Sequence, residues 1–582
     1  MPQAIGAAIV AAVGITGTAA TIAAAVVSAA ITAGVSYGIS AFLAPKPRAN
    51  RATGGRAPKP SPSDRQFVSK SPVAGRSRSY GRVVLSGAQQ FSYVKSGTFY
   101  RVLAHHTGKI DAVEKHWIDG HEVSCDANGW VTTSRYVVDG SSRARILFRL
   151  GNASETAYSQ LTSAYAAWDA DHRGDGIVSS LTMFKQVKQE RFFEVWPNAE
   201  NATYKMQIRA SIVFDPRTNT SGWSENAVLC IRDYLLHETG FGIPSSWITA
   251  ENAAWQAEAN ACDDVVATGT KRYVISYTYD FGSRPSDVLG EMLEACNGRI
   301  MQGENGGLRL VTGRWVEPEY TIDASMIEDY TLECGPEGTQ DATVIKAIYV
   351  SPAHGYVEQE AQAYVNTAAV TQRGEIVREL DLMAVPSHNQ ARRLMKQEAM
   401  KSSPEWSGTI VTNLGALPVL TERFVVIELP IGETFYAELD RIDFRMSPDQ
   451  PGVITGLVIS YTSVIPDRYA AEAGDDGDGV SVPEDIDGDE ALPADSGLTL
   501  TIDTDRIATV SWTAHDPDTL RTDVQYRRST VSTWTIAGTA ADGETDIEFG
   551  PLVTGASYYV RVRTRGVTER VGDWASAGPV TA

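Results

Sequence analysis

From Met1 to Pro45 the chain carries no charged side chain, and this run constrains its architecture more than any other feature. It exceeds the ~20 residues needed to span a bilayer. It is rich in Ala, Gly, Val, Ile and Thr but poor in Leu and Phe, so it is only moderately hydrophobic. The basic start of a signal peptide is missing, and no clean small-x-small cleavage site precedes a polar start. Ala30, Gly34 and Gly38 recur at helical spacing, which lets helices approach closely. Residues 1–45 are therefore read as an uncharged hydrophobic helical segment. It is either a membrane anchor or a helix that packs against copies of itself. Residues 46–80, basic and laced with Pro, Gly and Ser, follow as a linker.

Charge divides the chain at the same place. Up to Tyr80 there are nine Lys/Arg and one acid, Asp64, a balance of +8. The remaining 502 residues carry 42 basic and 70 acidic groups, a balance of −28. The acidic body argues against a protein that wraps nucleic acid. With 582 residues, several domains are expected. Cys125, Cys230, Cys262, Cys296 and Cys334 are odd in number and widely spaced, which argues against a disulfide scaffold or a zinc ribbon.

From Gly81 the pattern becomes alternating β segments. Phe99–His106, Tyr136–Val138 and Ile146–Leu150 read as strands, and in such a strand only one of His105 and His106 is expected to face inward. Asn305-Gly306-Gly307 marks a turn between Arg299–Met301 and Leu308–Val311. Three helices are predicted. One spans about Glu225 to Glu238, with Ser224 as cap and Gly240 as stop. The next begins at Pro285 and ends before Gly298. The third runs from Ser387 to about Lys401, with Gln390 completing a capping box. The class is α+β, dominated by β structure.

The order of motifs resembles the central block of phage tail tip proteins of the lambda J type. The resemblance rests on Phe214-Asp-Pro-Arg-Thr218, Gly222-Trp-Ser-Glu-Asn226, Gly240-Phe-Gly-Ile-Pro244 and Ala261-Cys-Asp-Asp264. Further matches are Lys271-Arg-Tyr273, Pro285-Ser-Asp-Val-Leu289, Cys296-Asn-Gly-Arg299, Arg173-Gly-Asp-Gly-Ile177 and Arg378-Glu-Leu-Asp-Leu382. It covers roughly Tyr80 to Asp467, and a tail hub region is assigned to residues 81–470. Physically, Pro216 pushes Asp215 toward an extended conformation, and Asp215 and Thr218 suit a turn closed around Arg217. Trp223 offers an apolar anchor beside the following helix. These residues are read as structural.

The resemblance implies a multidomain hub with tube-like β-barrels twice per chain. As a homotrimer it would cap the distal tail tube of a long-tailed phage or phage-like particle. The implied partners are the chain itself, the distal tail protein and tail tube ring, the tape measure protein, and tail fibre proteins. DNA would pass transiently on ejection, and a lumen of like charge suits that passage. In this setting residues 1–45 become a bundle near the tube axis that enters a host membrane. The implied location is the distal end of a virion tail, made in a bacterial cytoplasm.

Residues 471–497 form an acidic linker, with ten acids and no base between Ala471 and Asp495. Asp485, Asp487 and Asp489 alternate as at the start of a calcium loop. However, Glu490 stands where Gly is required and Ser496 where Glu is required, so a solvated linker is favoured. Residues 498–582 read as seven short strands with Trp512 directed inward. Leu552-x-x-Gly555-x-x-Tyr558-Tyr-Val-Arg-Val562 resembles the fibronectin type III signature, with Tyr558 at its tyrosine-corner position and Thr554 where that family has Pro.

No catalytic, cofactor or metal site is expected. His116, His121 and Cys125 do not have metal-ligand spacing, and no nucleophile elbow, Walker loop or dinucleotide fingerprint is present. Arg173-Gly-Asp175 is attributed to chance. Two other functions remain open on the sequence: a membrane-anchored adhesin with a fibronectin-like tip, and a tail-associated peptidoglycan hydrolase whose paired carboxylates converge in space.

Overall fold

The computed structural model describes residues 76–582 apart from 199–200, 267–268, 336–341, 448–449, 451, 472, 476, 478, 480–495, 514–518, 542 and 567–571. The hydrophobic segment 1–45, nearly all of the basic linker and the Asp485/Asp487/Asp489 alternation lie outside the described residues. No described helix is long and apolar enough to cross a membrane. The described chain is β-dominated with interspersed helices, as the sequence pattern predicts.

The first β unit is built from two packed antiparallel sheets. One has the order Ala88–Lys95, Thr98–Thr107, Ile177–Lys185, Ala144–Leu150. The other runs Thr220–Trp223, Tyr204–Asp215, Ile110–Ile118, His121–Val123, with Arg82–Ser86 also paired to Tyr204–Asp215. Tyr204–Asp215 shows why a strand forms here. Tyr204, Met206, Ile208 and Ala210 are buried on one face, while Lys205, Gln207 and Arg209 lie on the other. The buried residues meet Leu103, Ile118, Tyr136, Ile146 and Val178 in one core.

Both His105 and His106 are buried, contrary to the strand alternation. The pairing shifts between Val178 and Ser179, so Val178 faces His106, Ser179 faces Ala104, and His105 is the extra residue of a bulge. His105 Nε2 meets Ser180 Oγ at 2.8 Å. His106 donates from Nδ1 to the Gly108 carbonyl at 3.1 Å and accepts at Nε2 from the Ser79 amide at 2.9 Å. Tyr136 likewise departs from its expected strand. It ends a 3₁₀ turn, Ser134–Tyr136, from which its hydroxyl donates to the Ile118 carbonyl, and Val137–Val138 alone is extended.

A central helical unit follows. Its α-helices are numbered after α1 (Ser159–Ala164) and α2 (Phe192–Val195) of the first unit. They are α3 (Ala227–Leu236), α4 (Ser245–Thr249), α5 (Asn252–Asp263), α6 (Pro285–Glu294), α7 (Thr367–Arg373) and α8 (His388–Ser402). Trp255, Tyr234, Tyr273, Met292 and Met395 share its core. Strand Val344–Ser351 contributes Ile345 and Ala347 to that core, and Val377–Leu382, parallel to it, contributes Leu382.

Two helix starts differ from expectation. The cap of α3 is Asn226, whose Oδ1 accepts from the Val228 and Leu229 amides, while Ser224 Oγ accepts from the Asn226 amide. Ser387 does cap α8, but Gln390 does not close a capping box. Its buried amide instead bonds both the N–H and the carbonyl of Val274 and the carbonyl of Ala295, which tie the helix to its neighbours. The fold also includes α5, a twelve-residue helix whose polar sequence hides its single buried stripe of Trp255, Ala259 and Cys262.

The expected linker boundary at residue 80 moves back. Ser77–Tyr80 is a strand paired with Tyr277–Asp280, and Tyr80 is fully buried. Arg78 and Tyr80 donate to Asp233 Oδ2 at 2.9 and 2.8 Å, so Arg78 is a paired buried cation rather than a solvated linker charge. Gly81, at φ 71°, makes the turn out of this strand, where a Cβ would lie 1.9 Å from the Ile275 carbonyl oxygen.

The second β unit is a six-stranded sheet in the order Thr321–Ile322, Phe424–Glu428, Thr434–Met446, Ile454–Ser463, Trp406–Asn413, Ile327–Cys334. It folds over Ile410, Val425, Ile427, Leu457 and Ile459. Among the described residues neither β unit closes into a barrel by strand pairing. Among the described residues the C-terminal part is a sandwich of seven strands. Thr499–Ile502, Ala508–Ser511 and Asp546–Phe549 face a sheet of Thr535–Ala541, Thr519–Arg528, Ser557–Gly566 and Ala575–Thr581. Trp512 and Tyr558 are buried in its core. The Tyr558 hydroxyl accepts from the Val553 amide at 3.1 Å, which bends the chain back upon itself.

Candidate functional site: polar joints between the units

Asp215, Pro216, Arg217 and Thr218 form the tip of the Tyr204–Asp215/Thr220–Trp223 hairpin. Asp215 Oδ1 accepts from the Arg217 amide at 2.9 Å, the side-chain turn expected of Asp before Pro. The guanidinium of Arg217 then bonds both Asp215 oxygens at 2.8 to 3.1 Å. Its other nitrogen reaches Asn260 Oδ1 at 3.1 Å and Asp263 Oδ2 at 2.9 Å on α5. Gln256, one turn earlier on that helix, donates to the Pro216 carbonyl at 2.7 Å. Thr218 stays at the exposed tip, where its hydroxyl meets Thr220 Oγ1. The hairpin therefore docks on one face of α5, and Lys271 completes the joint by donating to Asp263 Oδ1 at 2.7 Å.

Electrostatics follow from this geometry. The hydrogen bond from Arg217 holds the Asp215 carboxyl below the usual range. Burial would raise Asp263, but Lys271 and Arg217 outweigh it and the net shift is downward. Arg217, donating to two carboxylates, is held above the usual guanidinium range. Trp223 is not the apolar anchor expected. It lies half-buried on the outer sheet face, donates from Nε1 to the Gly81 carbonyl at 3.1 Å, and has Arg82 and Arg209 at 5.1 and 5.4 Å from its ring. Those arginines are in turn paired with Glu114, Asp111 and Glu225.

A second joint is centred on Glu438, whose side chain is 0% exposed. Three arginines converge on it: Arg299 at 2.7 Å, Arg423 at 3.0 Å and Arg468 at 2.7 Å. Arg423 also donates to the carbonyls of Asn297 and Thr312, and Arg468 donates to that of Gln397. Burial opposes charge on Glu438, but Arg299, Arg423, Arg468 and Lys401 together hold it well below the ordinary carboxylate range. The cluster ties the hairpin after α6, the end of α8 and the second β unit together. Tyr273, Gln397 and Asn297 extend it inward. Gln397 Nε2 donates to the Tyr273 hydroxyl, which donates to the Gly313 carbonyl, and Asn297 Nδ2 donates to Gln397 Oε1.

No protein-family model matches the chain. No curated protein matches it either. Among solved structures, a chain of the virion of a native gene transfer agent particle is 15% identical over 80% of this chain and 100% of its own, with a TM-score of 0.47. A fibronectin type III domain of human collagen XX is 24% identical over 16% of this chain and 92% of its own, with a TM-score of 0.14. The spore cortex lytic enzyme SleM of Clostridium perfringens is 16% identical over 24% of this chain and 38% of its own, with a TM-score of 0.14. At these scores the likenesses assign neither family nor function.

Asp215 and Arg217 come together with Asp263 and Lys271, and the Pro216 carbonyl meets Gln256 of the same helix, while Thr218 stays at the exposed tip. Trp223 lies apart on the sheet, and Trp512 and Tyr558 share the core of the sandwich. Sequence reasoning missed Glu438, Arg423 and Arg468. A single Glu in the strand pattern of Thr434–Met446 gives no local sign of burial; inward alternation with Ala437 and Leu439 is interrupted there, since all three are buried. His116 and His121 bond Tyr204 and Arg135, and burial lowers His116 to about 4. Among the described residues no group of three His, Cys, Asp or Glu side chains is placed to hold a metal ion.

Proposed function

We propose that this protein is a non-catalytic structural subunit of a phage-like virion, the trimeric hub at the distal end of the tail. The observation that carries the reading is the spatial convergence of its sequence motifs. Phe214–Thr218, Ala261–Asp264 and Lys271–Tyr273 meet at the Arg217 joint, while Cys296–Arg299 meets the Glu438 joint. Residues separated widely in the chain thus serve to fix two β units against a helical centre. A subunit that must bear load between rings needs such joints, because buried ion pairs and hydrogen bonds to carbonyls specify one relative placement. The two β units suit the twice-per-chain arrangement that lets three chains meet a sixfold tube. The sandwich, whose Tyr558 hydroxyl bonds the Val553 amide as in a tyrosine corner, is read as a fibronectin type III-like outer spacer or attachment module for fibres. The acidic body suits passage of DNA past a surface of like charge. Distal tail protein, tube ring and tape measure protein are the neighbours this position requires.

The test is the mass of the purified full chain by light scattering, combined with negative-stain images in the presence of tail tube rings. A stable trimer that seats on the rings is expected. A monomer that requires detergent and ignores the rings overturns the reading in favour of an anchored adhesin.

A further inference from the structure

The outward face of the four-stranded sheet of the sandwich carries a row of arginines in an otherwise acidic protein. Along it, guanidinium and aromatic groups alternate. Arg563 lies 4.4 Å from the ring centre of Trp574, and Arg561 lies 4.1 Å from the same ring. Arg561 also lies 4.4 Å from Trp534, and Arg527 lies 5.0 Å from Trp534 and 4.7 Å from Tyr559. Each indole thus has two guanidiniums within 5.0 Å of its ring centre. Such a ladder holds planar cations in fixed positions.

At its Arg563 end the row is closed by carboxylates. Asp523, on the same sheet, approaches Arg565 at 2.6 Å, Arg563 at 3.5 Å and Arg521 at 3.7 Å. One acid against three arginines leaves a positive surplus. The second carboxylate comes from outside the sandwich. Glu194 of α2, in the first β unit, lies 2.8 Å from Arg563 and 3.8 Å from Arg565. The Arg563 and Glu194 side chains are only 8% and 12% exposed, so this pair is largely removed from water. Glu194 is presented rigidly. Its neighbours Val195 and Trp196 are in the core of the first unit, Trp196 Nε1 donates to the Lys185 carbonyl, and Arg191 holds the other carboxylate oxygen at 3.2 Å.

We propose that this contact is an electrostatic latch. The Arg563–Arg565 end of the ladder is a docking surface for the Glu194 turn of the same chain, and it sets whether the sandwich lies against the first β unit or swings away. Charge dominates the contact, because no buried apolar cluster among the described residues draws from both sides. The sandwich core and the first-unit core are separate. A contact of this kind weakens with ionic strength, unlike one made by apolar burial.

The experiment is small-angle scattering on the full chain, comparing wild type, Glu194→Gln, Glu194→Arg, Arg563→Glu and the Glu194→Arg/Arg563→Glu double variant at low and high salt. Glu194→Gln is expected to lower the docked-to-open ratio about tenfold, and Glu194→Arg to give a larger radius of gyration at low salt. The double variant restores the compact form. Unchanged scattering for Glu194→Arg overturns the latch. So does failure of the double variant to recover compactness while the sandwich melts as in wild type. If Arg563→Glu disturbs the ladder itself, Arg565→Glu replaces it as the partner of Glu194→Arg. The readout is the placement of the sandwich within each chain, so it stands or falls separately from the oligomer mass that tests the hub.

Discussion

Replacing Glu438 by Gln tests the proposed role of the buried joints. The side chain keeps its shape and loses its charge. In the native fold Oε1 accepts from Arg423 Nε and Oε2 from Arg468, with both arginines 2% exposed. After substitution these two cations retain only carbonyl and hydroxyl acceptors, and the new amide N–H₂ points donors at donors. Breaking one partner of a buried pair costs about 3–5 kcal/mol, because the remaining charge stays desolvated. At roughly 2–4 °C per kcal/mol for a unit of this size, the transition that includes the second β unit should fall by about 6–20 °C. The assay is thermal unfolding followed by calorimetry, with Glu433→Gln as control on the exposed turn of the same sheet. That control should shift stability by less than about 0.5 kcal/mol. A Glu438→Gln protein that melts within about 2 °C of wild type would refute the claim that this cluster joins the units.

Two further perturbations probe other parts of the fold. His105 and His106 are held neutral to about 3, first by burial and then by nearby Arg101 and Arg78 respectively. The unfolded chain protonates them near 6.5, so their contribution to stability is complete above that value and is lost as pH falls toward 3. Between pH 7 and 4.5 each should cost about 2–3 kcal/mol, and a His105→Gln/His106→Asn variant should show a correspondingly flatter pH dependence in denaturant titrations. At the hairpin tip, Arg217→Lys keeps the charge but cannot bond Asp215, Asn260 and Asp263 together. Allowing for partial exposure, a loss of about 1 kcal/mol is expected, seen as faster amide exchange in Thr220–Trp223 without global unfolding. Unchanged exchange there would mean that the tip does not depend on this guanidinium.

Local features of the chain were readable because they depend on near neighbours. The β pattern marks Ile146–Leu150, which lies in the strand Ala144–Leu150, Pro285 begins α6, and Asn305-Gly306-Gly307 turns the Arg299–Gln302/Leu308–Val311 hairpin. Asp215 closes its turn on Arg217 two residues away, and Tyr558 reaches the Val553 amide five residues back. In each case backbone period or a short side chain sets the outcome, and both are written in consecutive residues.

Tertiary structure decided everything that depends on charges meeting across the fold. Nothing around Arg217 announces that Asp263 of α5 will share its guanidinium, and nothing around Glu438 announces three arginines from different segments. The bulge that buries both His105 and His106 is a property of pairing with Ile177–Lys185, not of the strand that carries them. Glu194 and Arg563 lie in separate units with separate cores. The physical reason is the same throughout. Period and propensity act over one or two turns of chain, whereas a buried ion pair forms only where folding brings distant residues together so that their attraction and hydrogen bonds offset the loss of water around each charge.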